Sequence, residues 1–508
     1  MGIIFLWVQY LKSYASAVVL SFFYAIFISR WYIFICTNAL KSVTHLINTL
    51  LSFGRHFGIT CPSKNNCMRI IVLVSIFTLL SFSSKSQNTS LRKKADIAAD
   101  KIEQKVIAWR RDIHEHPELG NQEFRTAGII AKHLQLLGIE VKTGVAHTGV
   151  VGILKGGKPG PVVALRADMD ALPVIERTPV AFASKVKVQY NGKEAGVMHA
   201  CGHDTHVAIL MGVAEVLAGM RSELKGTVKF IFQPAEEGAA QGEDAGAELM
   251  VKEGVMQNPA VDVIFGLHIN SQTEVGKIKY KPGGILASVD DMKIIVKGRS
   301  AHGAYPWSAI DPIVASAQII NNLQAIISRN LNITENAGIV TIGAINGGNR
   351  GNIIPEKVEM LGTIRALKTE DRNMLIERVR QVVTKTAESA GASVEVIIPY
   401  ESSFPVTFND IALTEKMLPS LQQSAGKENV VLTVAETGAE DFSFYQEKVP
   451  GLFFFLGGMS KGGNPLTAPS HHTPDFFIDE SGLKLGVQTL ANLTIDYMEM
   501  EKVGGTKK

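Results

Sequence analysis

From Ile97 onward the chain alternates between two hydrophobic periods. Ile97, Ala98, Ile102, Val106, Ile107 and Trp109 recur at helical spacing with charges between them, which predicts a helix from Asp96 to about Glu115. Pro117 and Gly120 stop it, and Gln122 to Leu137 reads as a second helix closed by Gly138. Ahead of both, polar Asn88 to Ala95 reads as a tether. The pattern then changes: Val150 to Leu154 and Val162 to Leu165 are short apolar runs between glycines and prolines, as buried strands are. A helix (Val207 to Ala218), a strand (Val228 to Phe232), a helix (Asp244 to Lys252) and a strand (Val261 to Leu267) follow. Strands alternating with helices predict an α/β layer with a largely parallel, mixed sheet flanked by helices.

Near Val289 the pattern shifts again. Met292 to Val296, Gly338 to Ala344, Val358 to Ile364 and Val394 to Ile397 alternate as half-exposed strands do, and helical patterns run from Ile310 to Ile327 and from Glu370 to Ala390. This predicts an α+β two-layer sandwich, residues 287–399, inserted into the first domain. The catalytic domain would then be residues 96–286 and 400–502, the second part holding a strand at Gly451 to Leu456 and a closing helix at Ser481 to Met498. A chain of 508 residues agrees with more than one domain. Gly283 and Gly284, flanking the insertion, are candidate hinges for closure.

The first residues follow neither pattern. Met68-Arg69 opens a short basic segment, Ile70 to Phe82 is an apolar run of secretory length, and Ser84-Lys85-Ser86 resembles a cleavage site before Gln87. Residues 68–86 therefore read as a signal peptide and 1–67 as an upstream extension, which implies a periplasmic or secreted protein. Sequencing the mature N-terminus tests this, since a start upstream of Met68 excludes it. The alternative is a membrane anchor around Ala15 to Ser29, bounded by Lys12 and Arg30 and short for a span.

Charge changes the picture once this leader is set aside. Of 51 Lys/Arg and 48 Asp/Glu, residues 1–87 hold seven basic and no acidic ones, leaving a body with 44 against 48. A mildly acidic body has no electrostatic footprint for nucleic acid. Cys36, Cys61 and Cys67 also lie in the leader, so Cys201 is the lone thiol of the body and no internal disulfide framework is possible there.

Metal-type side chains crowd the strand exits, where loops at a sheet's carboxyl edge converge on one crevice. These are Arg166-Ala167-Asp168-Met169-Asp170, Met198-His199-Ala200-Cys201-Gly202-His203-Asp204-Thr205-His206, Gln233-Pro234-Ala235-Glu236-Glu237-Gly238, Gly266-Leu267-His268 and Ser470-His471-His472-Thr473-Pro474. One thiolate with several imidazoles and a carboxylate suits Zn²⁺ and comparable ions such as Mn²⁺, Co²⁺ or Ni²⁺. Cys201, His203, Glu237, His268 and His472 outnumber the ligands one catalytic zinc uses, and two divalent ions would absorb the surplus. Of the adjacent Glu236 and Glu237, one can bind metal while the other, unbound, acts on water as hydrolysis requires.

These motifs, with Gly298-Arg299-Ser300-Ala301-His302 and Gly438-Ala439-Glu440-Asp441-Phe442, resemble the aminoacylase and carboxypeptidase-like metallopeptidases, in the branch of hippurate hydrolases and auxin-amino acid conjugate amidohydrolases. The resemblance spans roughly Ile97 to Tyr497. It implies a dinuclear site held by Cys201, His203, Glu237, His268 and His472, with Glu236 as acid/base and Asp170 orienting a ligand. Related peptidases carry a histidine where Asp168 stands, so Asp168 is left out of the ligand set; the His-x-Pro pattern selects His472 over His471. His199, Asp204 and His206 fall back to supporting or helix-start positions, Asp204 being well placed for the positive end of a helix dipole. The insertion would be a lid and dimerisation domain, its His302 crossing to the partner subunit's site to stabilise the oxyanion. Asn352 and Arg365 are candidates for holding a substrate carboxylate. The activity implied is hydrolysis of N-acyl-L-amino acids by a homodimer or higher homo-oligomer, with dipeptidase, carboxypeptidase or N-acetyl-diamino acid deacetylase as alternatives. A non-catalytic metal-binding relative is the rival from another class.

Overall fold

The computed structural model describes residues 91–501, apart from 191 and 241. The tether at Asn88 to Ala95 is overturned over its described part: residues 91–115 form one continuous helix. Leu91, Ala95 and Ala99 are buried along one face of it, and Asn492 and Asp496 of the C-terminal helix Leu483–Met500 bond to Asp96 and Arg92. Packing by that closing helix, which local polarity does not register, decides the outcome. The signal-peptide and anchor readings fall outside the described residues. Among the described residues no helix is long and apolar enough to cross a membrane.

The large sheet has eight strands. In spatial order they are Glu140–Val145, Gly149–Lys155, Lys225–Gln233, Lys158–Asp168, Val263–Glu274, Gly451–Met459, Ile278–Tyr280 and Val430–Leu432. The middle four run parallel. The outer strands are mixed. Successive residues of a strand face opposite layers, and Lys158–Asp168 shows it: Val163, Leu165 and Ala167 enter a core with helices 91–115, Phe124–Leu136, His203–Ala218 and Leu483–Met500. Ala164 enters a second core with Ala247, Met250, Phe442 and Tyr445. Arg166 and Asp168 lie on that second side at the carboxyl end of the strand, where they are buried and charged. Fully burying a side chain such as Phe454 contributes roughly 1.5–3 kcal/mol.

Residues Val289–Ile397 fold around their own core. The antiparallel sheet runs in the order Gly338–Gly347, Lys357–Ala366, Val289–Lys297, Ser393–Ile397. Helices Pro312–Asn330 and Thr369–Ser389 cover one face, burying Met292, Ile294 and Val296 against Ile319, Leu323 and Val379. The helix expected from Ile310 starts at Pro312, because Asp311 caps it by accepting the Ile313 and Val314 N–H groups. Chain crosses between the two parts along a two-stranded ribbon, Gly283–Leu286 against Thr407–Asn409. Gly283 there has φ +77°, and a Cβ on Gly284 would stand 2.3 Å from the Leu367 carbonyl oxygen.

Candidate metal centre

The carboxyl ends of the four parallel strands deliver the predicted loops to one place. Asp170, just beyond Lys158–Asp168, is buried and accepts twice: from His203 Nδ1 at 3.1 Å and from the Glu237 N–H at 2.9 Å. It thereby turns the other ring nitrogen of His203 inward. That Nε2 is buried without a hydrogen bond, yet carboxylate oxygens of Asp168, Glu236 and Glu237 lie 3.6, 4.0 and 4.0 Å away. A buried imidazole nitrogen aimed at three acids it does not bond is a ligand set that fits a cation.

His203 opens the helix His203–Ala218. Gly202 before it has φ +95°, and a Cβ there would stand 2.4 Å from Ile269 Cγ2, so the turn requires glycine. Cys201 Sγ sits 3.4 Å from His268 Nε2 and 3.3 Å from His472 Nε2. His268 Nδ1 donates to the Ile269 carbonyl at 2.6 Å, which leaves the lone pair of Nε2 facing the sulfur. His472, at φ +62°, reaches back to Glu237 Oε1 at 2.9 Å. Cys201, His203, Glu237, His268 and His472 are thus brought together.

Neighbouring histidines are already committed. His471 Nδ1 donates to the Cys201 carbonyl at 3.0 Å and its Nε2 accepts from the Ser271 N–H at 3.2 Å. His206 Nδ1 donates to Asp168 at 2.5 Å and its Nε2 accepts from the Ile269 N–H at 2.8 Å. Although both lie in groups with metal-ligand spacing, neither has a free nitrogen. Asp204 does more than face a helix dipole: it is buried, with Arg110 at 2.7 Å and His114 at 2.8 Å. His199 is buried with both ring nitrogens unpartnered, and burial pushes it down to about 3.

Electrostatics separate the two adjacent glutamates. Burial, then the charges of Glu440 and Glu237, push Glu236 well above the usual carboxylate range. Burial would raise Glu237 too, but its hydrogen bond with His472 and the charge of His203 outweigh that and lower it. Burial, followed by Glu237 and Glu236, holds the Cys201 thiol far up. A divalent cation among these groups inverts that balance and favours the thiolate.

Behind the cluster stands a network that the motifs did not disclose. Arg166, wholly buried, reaches Asp168 at 2.6 Å, Asp441 at 2.7 Å and Glu440 at 2.9 Å, and donates to Gln233 at 2.8 Å. Its signal in the sequence was an arginine inside an otherwise apolar strand run, Val162 to Ala167.

In front of the cluster is a cleft of about 510 Å³, lined by Cys201, Glu236, Glu237 and His268 and, from the insertion, by Asp291 and Arg365. Arg365 also donates to the Thr437 carbonyl at 2.9 Å. His302 and Asn352 are not brought to this cleft within the chain. They share an exposed ribbon, Ala301–His302 paired with Ile353–Ile354, where the Gly303 N–H donates to the Asn352 carbonyl at 2.8 Å.

The chain is similar to several known proteins. The family model described as Peptidase family M20/M25/M40 matches residues 164–496. Thermostable carboxypeptidase 2 of Saccharolobus solfataricus is 41% identical over 397 residues, covering 78% of this chain and 96% of that protein. IAA-amino acid hydrolase ILR1-like 4 of Arabidopsis thaliana is 38% identical over 395 residues, covering 77% and 86%. The crystal structure of the Bacillus subtilis YXEP protein, described as a dinuclear metal binding peptidase from the M20 family, matches with a TM-score of 0.65 at 37% identity, covering 79% of this chain and all of that one. A thiol, imidazoles and carboxylates gathered at the carboxyl edge of a parallel sheet, together with these similarities, make the chain a member of peptidase family M20/M25/M40 and a metal-dependent hydrolase of amides.

Proposed function

We propose that this protein hydrolyses N-acyl-L-amino acids to a carboxylate and a free amino acid. The observation that carries the reading is the pairing of Glu237, bound to His472, with Glu236, which lines the same cleft on the side of Glu440 and Asp441. Cys201, His203, Glu237, His268 and His472 would hold two divalent ions of the Mn²⁺, Zn²⁺, Co²⁺ or Ni²⁺ type. Such ions, when bound, polarise the amide carbonyl and acidify water. Glu236 then takes a proton from the attacking water and returns it to the leaving nitrogen, so that water is divided between the acid and the amine. Arg365, which lines the same cleft, would meet the α-carboxylate of the substrate.

The experiment is a panel of N-acyl-amino acids, their α-amides and matched dipeptides, assayed on enzyme reconstituted separately with each metal. N-acyl-amino acids are expected to be cleaved, and the α-amides to show a KM raised about tenfold or more through loss of a charge-assisted contact. Equal turnover of acid and α-amide would overturn the role of Arg365, and preference for dipeptides would overturn the substrate class.

A second copy of the chain completes this reading, because His302 lies outside its own cleft. Mixing a His302→Ala protein with a Glu236→Gln protein, each inactive alone, should restore about a quarter of the activity, by the statistics of random pairing in a symmetric dimer. No recovery on mixing would show that His302 does not serve a partner.

A further inference from the structure

Glu123 is fully buried at the start of the Phe124–Leu136 helix, far in sequence from the metal cluster. Its Oε1 accepts the Ala235 N–H at 2.8 Å, and its Oε2 is hydrogen-bonded to the Thr148 hydroxyl. Ala235 has φ +49°, a left-handed conformation that L side chains disfavour and that persists only when its surroundings hold it. The residues that follow are Glu236 and Glu237. The same turn that carries Glu123 closes on this loop at a second point, since a Cβ on Gly120 would stand 2.1 Å from the Gly238 carbonyl oxygen and 3.0 Å from Ala235 Cβ.

The loop is therefore clamped on both sides of Glu236: by Glu123 on the Ala235 N–H and by Asp170 on the Glu237 N–H. With both peptides fixed, the adjacent glutamates diverge. Glu237 goes to His472, and Glu236 goes to the side of Glu440 and Asp441. A buried carboxyl is costly to keep in a core unless its bonds are needed, and here they go to a strained peptide.

We infer that Glu123 is a positioning residue for hydrolysis, its side chain setting the Ala235 peptide so that Glu236 faces the cleft while Glu237 faces the ligands. This rests on the reading of Glu236 as acid/base. Burial and the neighbouring Asp170 push Glu123 up to about 8, toward the neutral form whose shape glutamine shares. A glutamine can accept from Ala235 with its oxygen and donate to the Thr148 hydroxyl with its nitrogen.

The test compares Glu123→Gln, Glu123→Ala and Thr148→Val in kcat, KM, bound metal and melting temperature, with Glu236→Gln in the same assay. Glu123→Gln should stay within about threefold of the parent kcat. Glu123→Ala should lose about 30-fold or more in kcat with KM and metal content unchanged, the scale on which small misplacements of a catalytic group act. Thr148→Val should lose several-fold in kcat in a folded protein, which decides the matter even where Glu123→Ala does not fold. Unchanged kcat in Glu123→Ala, or in Thr148→Val, overturns the inference, as does loss of metal in Glu123→Gln. A Glu236→Gln protein that stays active instead overturns the acid/base reading underneath.

Discussion

Replacing Glu236 by glutamine is expected to lower kcat by about 10²- to 10⁴-fold, the range that a positioned general acid/base contributes, while bound metal and melting temperature stay unchanged. The substitution keeps size and removes only the ability to take a proton. Glu236 lies 4.0 Å from His203 Nε2 with Glu440 and Asp441 beside it, and burial together with those acids raises its affinity for a proton. A carboxylate in that setting is a stronger base than an exposed one, and once protonated it is a competent acid for the leaving nitrogen. Steady-state kinetics with elemental analysis of the same preparation check both halves. Retained activity would exclude Glu236 as the base, and loss of metal would make it a ligand instead.

The second large effect is on stability. Arg166→Met should destabilise the fold by about 3–5 kcal/mol, the cost of breaking a buried charge cluster by removing one partner. The guanidinium is wholly buried and is the shared partner of Asp168, Asp441 and Glu440. Without it three carboxylates remain in a low-dielectric interior beside Glu236. Lysine is a poor substitute, because an ammonium cannot spread donors in the planar fork that reaches Asp168 on one side and Asp441 on the other. Chemical denaturation of metal-loaded protein, parent against Arg166→Met and Arg166→Lys, measures this. A midpoint unchanged in both would mean that the acids are neutralised by something other than Arg166.

Much of the architecture was legible because its signals are local. Periods of two and of about 3.6 residues separate strands from helices, and glycines and prolines mark their ends. Elements whose signals are weak locally were missed: the edge strand Glu140–Val145, the hairpin Lys187–Tyr190 with Lys193–Gly196, and the helix Ile411–Ala425, which contains Pro419. Each has either a mostly exposed pattern or a residue that ordinarily breaks the element, and depends on a neighbour for its form.

The site divides in the same way. Cys201, Gly202 and His203 stand in one short stretch, and Glu236 beside Glu237, so residue type and adjacency alone brought them forward. Which histidine of the pair His471-His472 keeps a free nitrogen was decided by the Cys201 carbonyl and the Ser271 N–H, 270 and 200 residues away. Glu123 escaped notice, and Arg166 was seen only as part of a motif and without its role, because a buried carboxylate or guanidinium is defined by its partners. By itself the sequence determined the strands and helices with a strong periodic pattern and which chemical groups stand at their ends, since those depend on neighbours a few residues apart. Tertiary structure alone decided the strand order, which polar groups are already bonded and which remain free toward the cleft, because hydrogen bonds and burial pair residues by distance in space and not along the chain.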